Sequence, residues 1–135
     1  KHLISNSKDE QWSLIDGAPG LGCPVISSLA GCDMVLFVTE PTVSGLNDLD
    51  RVIDIARKFK PKMAVCINKW DINPVLCEII ESFCRKESIP MVGKIPFDKK
   101  VVKALDASLT AVDISCKAKK AIMKIYDKTI SMLMQ

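Results

Sequence analysis

Four short apolar runs recur along the chain and set its predicted architecture. Each run is continuously hydrophobic rather than alternating. A continuous run of this length is typical of a parallel strand that is covered on both faces. The predicted strands occupy residues 12–16, 34–39, 63–68 and 90–95.

Helical patterns lie between and after these runs. Ser44 is a good N-cap for a helix that buries Leu49 and Ile53, and Pro61 follows the end of that helix. Asn73 followed by Pro74 predicts the next helix start, because proline fits the first helical position. Further helices are predicted over residues 24–30, after the cap Asp98 and over residues 115–133. Their expected buried positions, with those of the helix after Asn73, are Leu76, Ile79, Ile80, Phe83, Val101, Val102, Leu105, Ala118, Ile122, Ile125 and Leu133.

The alternation of strands and helices predicts an α/β fold. Short connections between parallel strands imply right-handed crossovers and an open, mostly parallel sheet of about four strands with helices on both faces. We expect residues 1–135 to form a single domain. Ligands of such sheets bind beyond the carboxyl ends of the strands. The segments of interest are therefore residues 16–20, 39–41, 68–71 and 96–98.

Asp16 ends the first predicted strand and precedes a glycine-rich loop. A carboxylate in this position holds Mg²⁺, directly or through water, beside a phosphate chain. Glycines such as Gly20 let backbone N–H groups approach a terminal phosphate or the attacking water. An ordinary strand-to-helix turn also favours Asp and Gly, so this pattern alone leaves both interpretations open.

The tetrapeptide Asn68-Lys69-Trp70-Asp71 follows the third predicted strand and is more specific. A side-chain amide at a strand end both donates to and accepts from a purine edge. The pattern Asn-Lys-x-Asp reads guanine in GTPases. The simpler interpretation is a polar turn in which Asp71 lies near a helix start.

Five motifs in a fixed order extend these observations. They are Asp-Gly-Ala-Pro-Gly-Leu-Gly-Cys-Pro-Val (residues 16–25), Val-Thr-Glu-Pro-Thr (38–42), Asn-Asp-Leu-Asp-Arg (47–51), Ile-Asn-Lys-Trp-Asp (67–71) and Ile-Pro-Phe-Asp (95–98). Together they resemble the MinD/ParA superfamily of P-loop ATPases, and most closely the branch that carries an inserted ferredoxin domain. The resemblance extends over about residues 12–107.

The resemblance implies ATP and Mg²⁺ as cofactors and assigns a role to each matching residue. Asp16 would be the Walker B aspartate that orders Mg²⁺, and Gly20 would lie in switch II near the γ-phosphate. Asn68 would contact the adenine ring, with Asp71 in the same base-binding segment. The loop Pro96-Phe97-Asp98 would enclose the base from the other side.

One expected motif is absent from the sequence. No Gly-x-x-x-x-Gly-Lys-Ser/Thr occurs, and the glycines at 17–22 are followed by no Lys-Ser/Thr. The resemblance therefore implies the C-terminal half of a P-loop ATPase domain, with the phosphate-binding loop and the ferredoxin insert upstream of Lys1. We expect a lead-in at 1–11, a nucleotide-binding core at 12–107 and a C-terminal helix at 108–135. We expect this half alone to be inactive toward ATP.

The six cysteines have two different interpretations. Cys66, Cys77 and Cys84 fall on apolar faces and are expected in the core. The sequence has no Cys-x-x-Cys pair, and His2 is its only histidine, so a zinc site is not expected. Cys23 follows Asp16 at the spacing of a cluster ligand in the nitrogenase iron protein, a relative of the superfamily. It is either a ligand of a 4Fe-4S cluster shared with other chains or a plain thiol at a helix start, which we favour.

Three other functions are compatible with parts of the pattern. A phospho-accepting receiver domain would use Asp16, Thr39 and Lys69, although Lys69 is not followed by proline. A GTPase would use residues 68–71, although its Asp-x-x-Gly motif would place glycine at position 19, where the chain has Pro19. A non-catalytic interaction module would keep the motifs as relics.

Charge and hydropathy limit the kinds of partner that the sequence allows. The net charge is +3, and residues 99–135 carry eight Lys and three Asp. Because no aromatic residues are interleaved with these lysines, we interpret them as the solvated face of a helix. Nucleic acid is therefore an unlikely partner. The sequence contains no apolar run long enough to span a membrane. Without a secretory signal the thiols are expected to be reduced, in the cytoplasm. The resemblance adds a homodimer and an iron–sulfur or redox partner.

Overall fold

A computed structural model describes residues 12–18, 20 and 22–135. Its centre is a three-stranded, wholly parallel sheet in the order β1 (Met34–Thr39), β2 (Lys62–Asn68), β3 (Met91–Ile95). The register pairs Thr39 with Ile67 and Asn68 with Ile95, so neighbouring strands end at nearly the same level. The α/β class and the open parallel sheet predicted from the sequence are confirmed.

The helices alternate with these strands. They are α1 (Cys23–Leu29), α2 (Val43–Arg57), α3 (Pro74–Lys86), α4 (Lys99–Asp106) and α5 (Lys117–Met134), and a 3₁₀ turn at Trp70–Ile72 precedes α3. Asn73 caps α3 by accepting a hydrogen bond from Leu76 N–H, and Asp98 caps α4 in the same way through Lys100 N–H, as predicted. In the described part of the chain, no helix is long and apolar enough to cross a bilayer.

The two faces of the sheet are covered differently. On one face α1, α2 and α3 bury Val25, Ile53 and Ile80 against alternate residues of β1 and β2. On the other face α5 packs Ile125 against Ala64 and the residues of β3 next to it. The chain therefore forms three layers, and the predicted core cysteines Cys66, Cys77 and Cys84 are buried within them.

The prediction of a strand at residues 12–16 is wrong. These residues have neither helical nor strand pairing, and Leu14 is 86% exposed. Trp12 packs instead on Tyr126 of α5, with the ring centroids 5.9 Å apart. A continuous apolar run predicts burial on both faces, but a strand also needs a hydrogen-bonded neighbour, and the described sheet pairs only β1, β2 and β3.

Three local predictions also need correction. Ile79 of α3, which was predicted to be buried, is 45% exposed. The cap of α2 is Thr42 rather than Ser44, because the Thr42 hydroxyl accepts the hydrogen bond from Gly45 N–H. The buried residue of α4 is Ala104, whereas Val102 and Leu105 are 52% and 66% exposed. The apolar spacing of Val101, Val102 and Leu105 predicted a helix but did not specify which of its sides faces the core, and that side carries Ala104.

Candidate functional site

Three polar loops lie along one edge of the sheet, at the carboxyl ends of β1, β2 and β3. Glu40 follows β1 directly and Lys69 follows β2 directly. Lys69 Nζ lies 2.7 Å from Glu40 Oε1, so this ion pair bridges two neighbouring loops. Lys69 has a left-handed backbone (φ 52°), which turns the chain sharply out of β2 into the 3₁₀ turn.

The loop after β2 is also joined to the loop after β3. Asp71 Oδ1 accepts a hydrogen bond from Phe97 N–H at 2.7 Å, across 26 residues of sequence. A carboxylate acceptor makes this a short, charge-assisted bond. The structure thus brings two of the predicted base-binding segments, 68–71 and 96–98, into direct contact.

Asp98 is held by backbone groups on two helices. Its Oδ1 accepts from Lys100 N–H and its Oδ2 from Lys117 N–H, each at 2.9 Å. These hydrogen bonds, that from Lys100 N–H above all, hold the pKa of the Asp98 carboxyl below its usual value. Asp98 therefore fixes the loop in place by joining it to the first turns of α4 and α5.

A second cluster borders the loop after β2. Lys94 Nζ donates to Glu81 Oε1 at 2.7 Å and lies 5.0 Å from the ring centroid of Trp70. The hydrogen bond lowers the pKa of the Glu81 carboxyl and raises that of Lys94. Burial raises the pKa of the neighbouring Cys77 thiol, which is hydrogen-bonded to Glu81. The cluster stabilises Trp70, between Lys69 and Asp71.

The predicted catalytic residues lie in the segment before α1. Asp16 is exposed on a stretch without regular structure. Gly20 has φ +91°, a left-handed conformation that favours glycine, in agreement with the glycine-rich loop expected there. Among the described residues, no hydrogen bond or ion pair joins Asp16 to the loops at 68–71 or 96–98. An exposed carboxylate of this kind fits water-mediated binding of Mg²⁺.

Cys23 is exposed at the start of α1. A 4Fe-4S cluster needs four ligands, usually cysteine thiolates. Residues 12–18, 20 and 22–135 contain no group of three or more His, Cys, Asp or Glu side chains placed to hold a metal ion. These residues alone do not fit the cluster, and Cys23 would have to share it with ligands from elsewhere.

Sequence reasoning missed the ion pair and the Trp70 cluster. Glu40 and Lys69 were each placed at a strand end, but their pairing was not predicted. The available signal was opposite charges directly after two strands, which become adjacent once β1 and β2 pair. The contact of Lys94 with Trp70 had no such signal, because it depends on the side-chain directions of β3.

Several known proteins are similar in sequence to this chain, although no protein-family model matches it. MinD, the septum site-determining protein of Helicobacter pylori, is 28% identical over 87% of this chain and 48% of its own length. An iron-sulfur cluster carrier protein of Pyrococcus abyssi is 28% identical over 98% of this chain and 50% of its own length. An uncharacterized protein of Methanocaldococcus jannaschii is 28% identical over 95% of this chain and 44% of its own length.

A solved structure supports the fold. The cell division ATPase MinD of Pyrococcus furiosus superposes with a TM-score of 0.71 at 20% identity, over 87% of this chain and 50% of that chain. The chain thus spans about half the length of the relatives that it matches. With the strand-end motifs in order and the parallel sheet that carries them, these likenesses support the assignment of the chain to the MinD/ParA superfamily of P-loop ATPases.

Proposed function

We propose that this chain is the nucleotide-sensing C-terminal half of a MinD-type ATPase and binds Mg-ATP together with a segment that carries the phosphate-binding loop. One observation carries the proposal. The loops after β1, β2 and β3 are tied into a single row by the pairs Glu40–Lys69 and Asp71–Phe97. A row of fixed polar loops at the carboxyl edge of a parallel sheet is where this class of fold binds its ligands.

The proposed division of labour follows the position of each residue. Asn68 and the loop 96–98 contact the base, since they end the two neighbouring strands β2 and β3. Asp16 would hold Mg²⁺ through water, and the backbone N–H of Gly20 would face the γ-phosphate. Bound Mg²⁺ would neutralise negative charge on the phosphates while the γ-phosphoryl group of ATP is transferred to water. Residues 12–107 form the nucleotide-binding core, and residues 108–135 support it through α5.

The exposed apolar surface of β1 is where a further strand and helix would extend the sheet. Val38 lies near the carboxyl end of the apolar strand β1, yet it is 61% exposed, because α5 packs mainly on β3 and β2. β1 is also an edge strand of the described sheet. A parallel strand and its crossover helix, added at this edge, would cover Val38 and complete the site. The predicted homodimer and the cytoplasmic location remain part of the proposal.

Coupling to iron–sulfur or redox chemistry is a second proposal with weaker support. The relatives include proteins named iron-sulfur cluster carriers, and Cys23 is exposed at the start of α1. The extended protein, reconstituted with iron and sulfide, should bind less iron when Cys23→Ser is introduced. Equal iron in the variant would remove Cys23 from any cluster site.

The test of the main proposal compares this chain with the same chain extended by its native upstream sequence. We expect only the longer protein to bind Mg-ATP and turn it over. Asp16→Ala should abolish turnover, while the exposed helix residue Asp54→Asn, as a control, should leave it unchanged. If the longer protein neither binds nor hydrolyses ATP, the proposal fails, and the motifs then indicate only a similar fold.

A further inference from the structure

The charged residues of Asn68-Lys69-Trp70-Asp71 are both engaged with neighbouring loops. Lys69 Nζ is bonded to Glu40 on the β1 side, and Asp71 Oδ1 to Phe97 N–H on the β3 side, each at 2.7 Å. The tetrapeptide therefore links three successive loops through its second and fourth residues. Its first residue, Asn68, ends β2 between them and is half-buried.

We infer that Asp71 is a positioning residue for the loop 96–98 rather than a reader of the purine base. The inference rests on the proposed function, because it concerns the base that the same site takes. It deepens that function by assigning base contact to Asn68 and the loop backbone, and loop placement to Asp71.

Reading guanine and holding the loop 96–98 would require different orientations of the Asp71 carboxylate. A carboxylate that reads guanine accepts hydrogen bonds from its N1–H and its exocyclic N2–H₂, and therefore turns both oxygens toward the base edge. In this structure Oδ1 of Asp71 accepts from Phe97 N–H at 2.7 Å, so the carboxylate is oriented toward the loop 96–98. Turning it toward guanine would leave that N–H without its partner and release the loop from its place.

The geometry of β2 and β3 makes the positioning role specific. The register pairs Asn68 with Ile95, so the loops that begin at Lys69 and Pro96 leave adjacent strands at the same level. At its far end the loop is held by Asp98, which accepts from Lys100 and Lys117 N–H. Asp71 supplies the attachment in its middle. Without Asp71, the loop would sample several conformations, and binding would have to select one of them.

The experiment uses the extended protein and measures KM and kcat for ATP, GTP and XTP. In Asp71→Asn the amide oxygen still accepts from Phe97 N–H, so we expect KM for ATP within about threefold of wild type. In Asp71→Ala the bond is lost, and KM for ATP should rise about fivefold or more with kcat within about twofold. ATP should remain the preferred substrate in both, and Asp54→Asn serves as the matched carboxylate control.

A base-reading carboxylate gives a different pattern. Wild type would then prefer GTP, and Asp71→Asn would shift the preference to XTP, whose C2 carbonyl accepts where guanine donates. That shift would overturn the inference, and so would an unchanged KM in Asp71→Ala. If the unmodified extended protein binds none of the three nucleotides, the proposed function itself fails.

Hydrogen exchange gives a readout that needs no nucleotide. NMR-detected exchange at Phe97 N–H should be faster by about fivefold or more in Asp71→Ala than in wild type or Asp71→Asn. Unchanged exchange at Phe97 would refute the contact on which the inference depends, whatever the enzyme does. The amide of Val65, hydrogen-bonded within the sheet to Pro90, monitors intact folding of each variant.

Discussion

Asp98 Oδ2 lies 2.9 Å from the backbone nitrogen of Lys117, so one carboxylate in the loop after β3 also caps the first turn of α5. Its other oxygen caps α4 through Lys100 N–H. The predicted nucleotide loop is thereby tied to the helix that covers the second face of the sheet. Because α5 packs on β3, this carboxylate couples the site to the core.

Asp98→Asn should lower the melting temperature at neutral pH. The asparagine keeps one carbonyl oxygen for Lys100 N–H, but its NH₂ group then faces Lys117 N–H, donor against donor. Asp98→Ala, which keeps neither bond, should melt at a lower temperature still. Thermal unfolding followed by circular dichroism measures both, with the exposed Asp106→Asn at the end of α4 as the control.

The effect of Asp98 should depend on pH in a defined direction. Its folded pKa is lowered from an ordinary value of 3.8, so its contribution is fully present above that value and is lost as the pH falls through the folded pKa. The difference in melting temperature between wild type and Asp98→Asn should therefore narrow in acid. A difference that stays constant down to about pH 2 would rule out a role for the ionised carboxylate.

Gly93 in β3 sets how closely α5 approaches the sheet. A Cβ at this position would lie 2.6 Å from Ile125 Cγ1, well inside van der Waals contact. We expect Gly93→Ala to destabilise the fold by about 1–3 kcal/mol, although alanine suits a strand better than glycine. Urea unfolding of the variant gives the free energy directly.

The contact of Gly93 with Ile125 also predicts how two substitutions combine. Ile125→Ala removes Cγ1 and should cost about 2–4 kcal/mol alone, because Ile125 is buried. The double variant should cost less than the sum of the two, by at least about 0.5 kcal/mol, since the alanine Cβ then enters the vacated space. Strict additivity would show that α5 shifts away rather than clashes.

The sequence predicted those parts of the fold that depend on local pattern. The strands β1, β2 and β3, the cap Asn73 and the cap Asp98 all follow from runs and residue types within a few positions. The apolar run at 12–16 looked the same as β1 by this criterion, but strand formation depends on a pairing partner that no local pattern specifies. The predicted burial of Val102 was wrong for a related reason, because apolar spacing alone does not specify which side of α4 faces the core.

Some features of the candidate site were likewise predictable from local sequence, and others were not. That polar residues would follow each strand and lie along one edge was predictable, because parallel strands end on the same side. Which of them bond to one another was not, since Asp71 and Phe97 are 26 residues apart and meet only through the register of β2 and β3. The order of motifs predicted the superfamily, whereas these hydrogen bonds depend on tertiary contacts that no local pattern specifies.

Cys66 should make stability fall in alkaline solution. Burial raises the pKa of its thiol from 9.0 to about 11, so the unfolded chain loses this proton first as the pH rises. Stability from this group is therefore full below pH 9.0 and is lost toward about pH 11. Cys66→Ala should cost about 1 kcal/mol at neutral pH, and its deficit against wild type should shrink across that range.

The control for Cys66 is its buried neighbour Ala64 on the same face of β2. Ala64→Gly loses packing but no ionisable group, so its deficit against wild type should change little with pH. Free energies of unfolding from urea titrations at pH 7, 9 and 10.5 separate the two cases. Parallel pH profiles for Cys66→Ala and Ala64→Gly would contradict the prediction.

Gly45 is the position where helix propensity predicts the wrong sign. In an ordinary helix interior, glycine to alanine gains about 1 kcal/mol. At Gly45, in the first turn of α2, a new Cβ would meet the carbonyl oxygen of Glu40 and the hydroxyl oxygens of Thr39 and Thr42. The backbone of the turn after β1 cannot move away freely, because Thr39 Oγ1 donates to Gly45 O at 3.1 Å.

We therefore expect Gly45→Ala to destabilise the protein by about 1–3 kcal/mol and to disturb the loop that presents Glu40 to Lys69. Ser44→Ala, one position earlier and exposed, should change stability by less than about 0.5 kcal/mol. Urea unfolding compares the two. A stabilising Gly45→Ala would mean that the turn relaxes at no cost, and the row of loops at the sheet edge would then be less rigid than the contacts of Glu40 and Asp71 indicate.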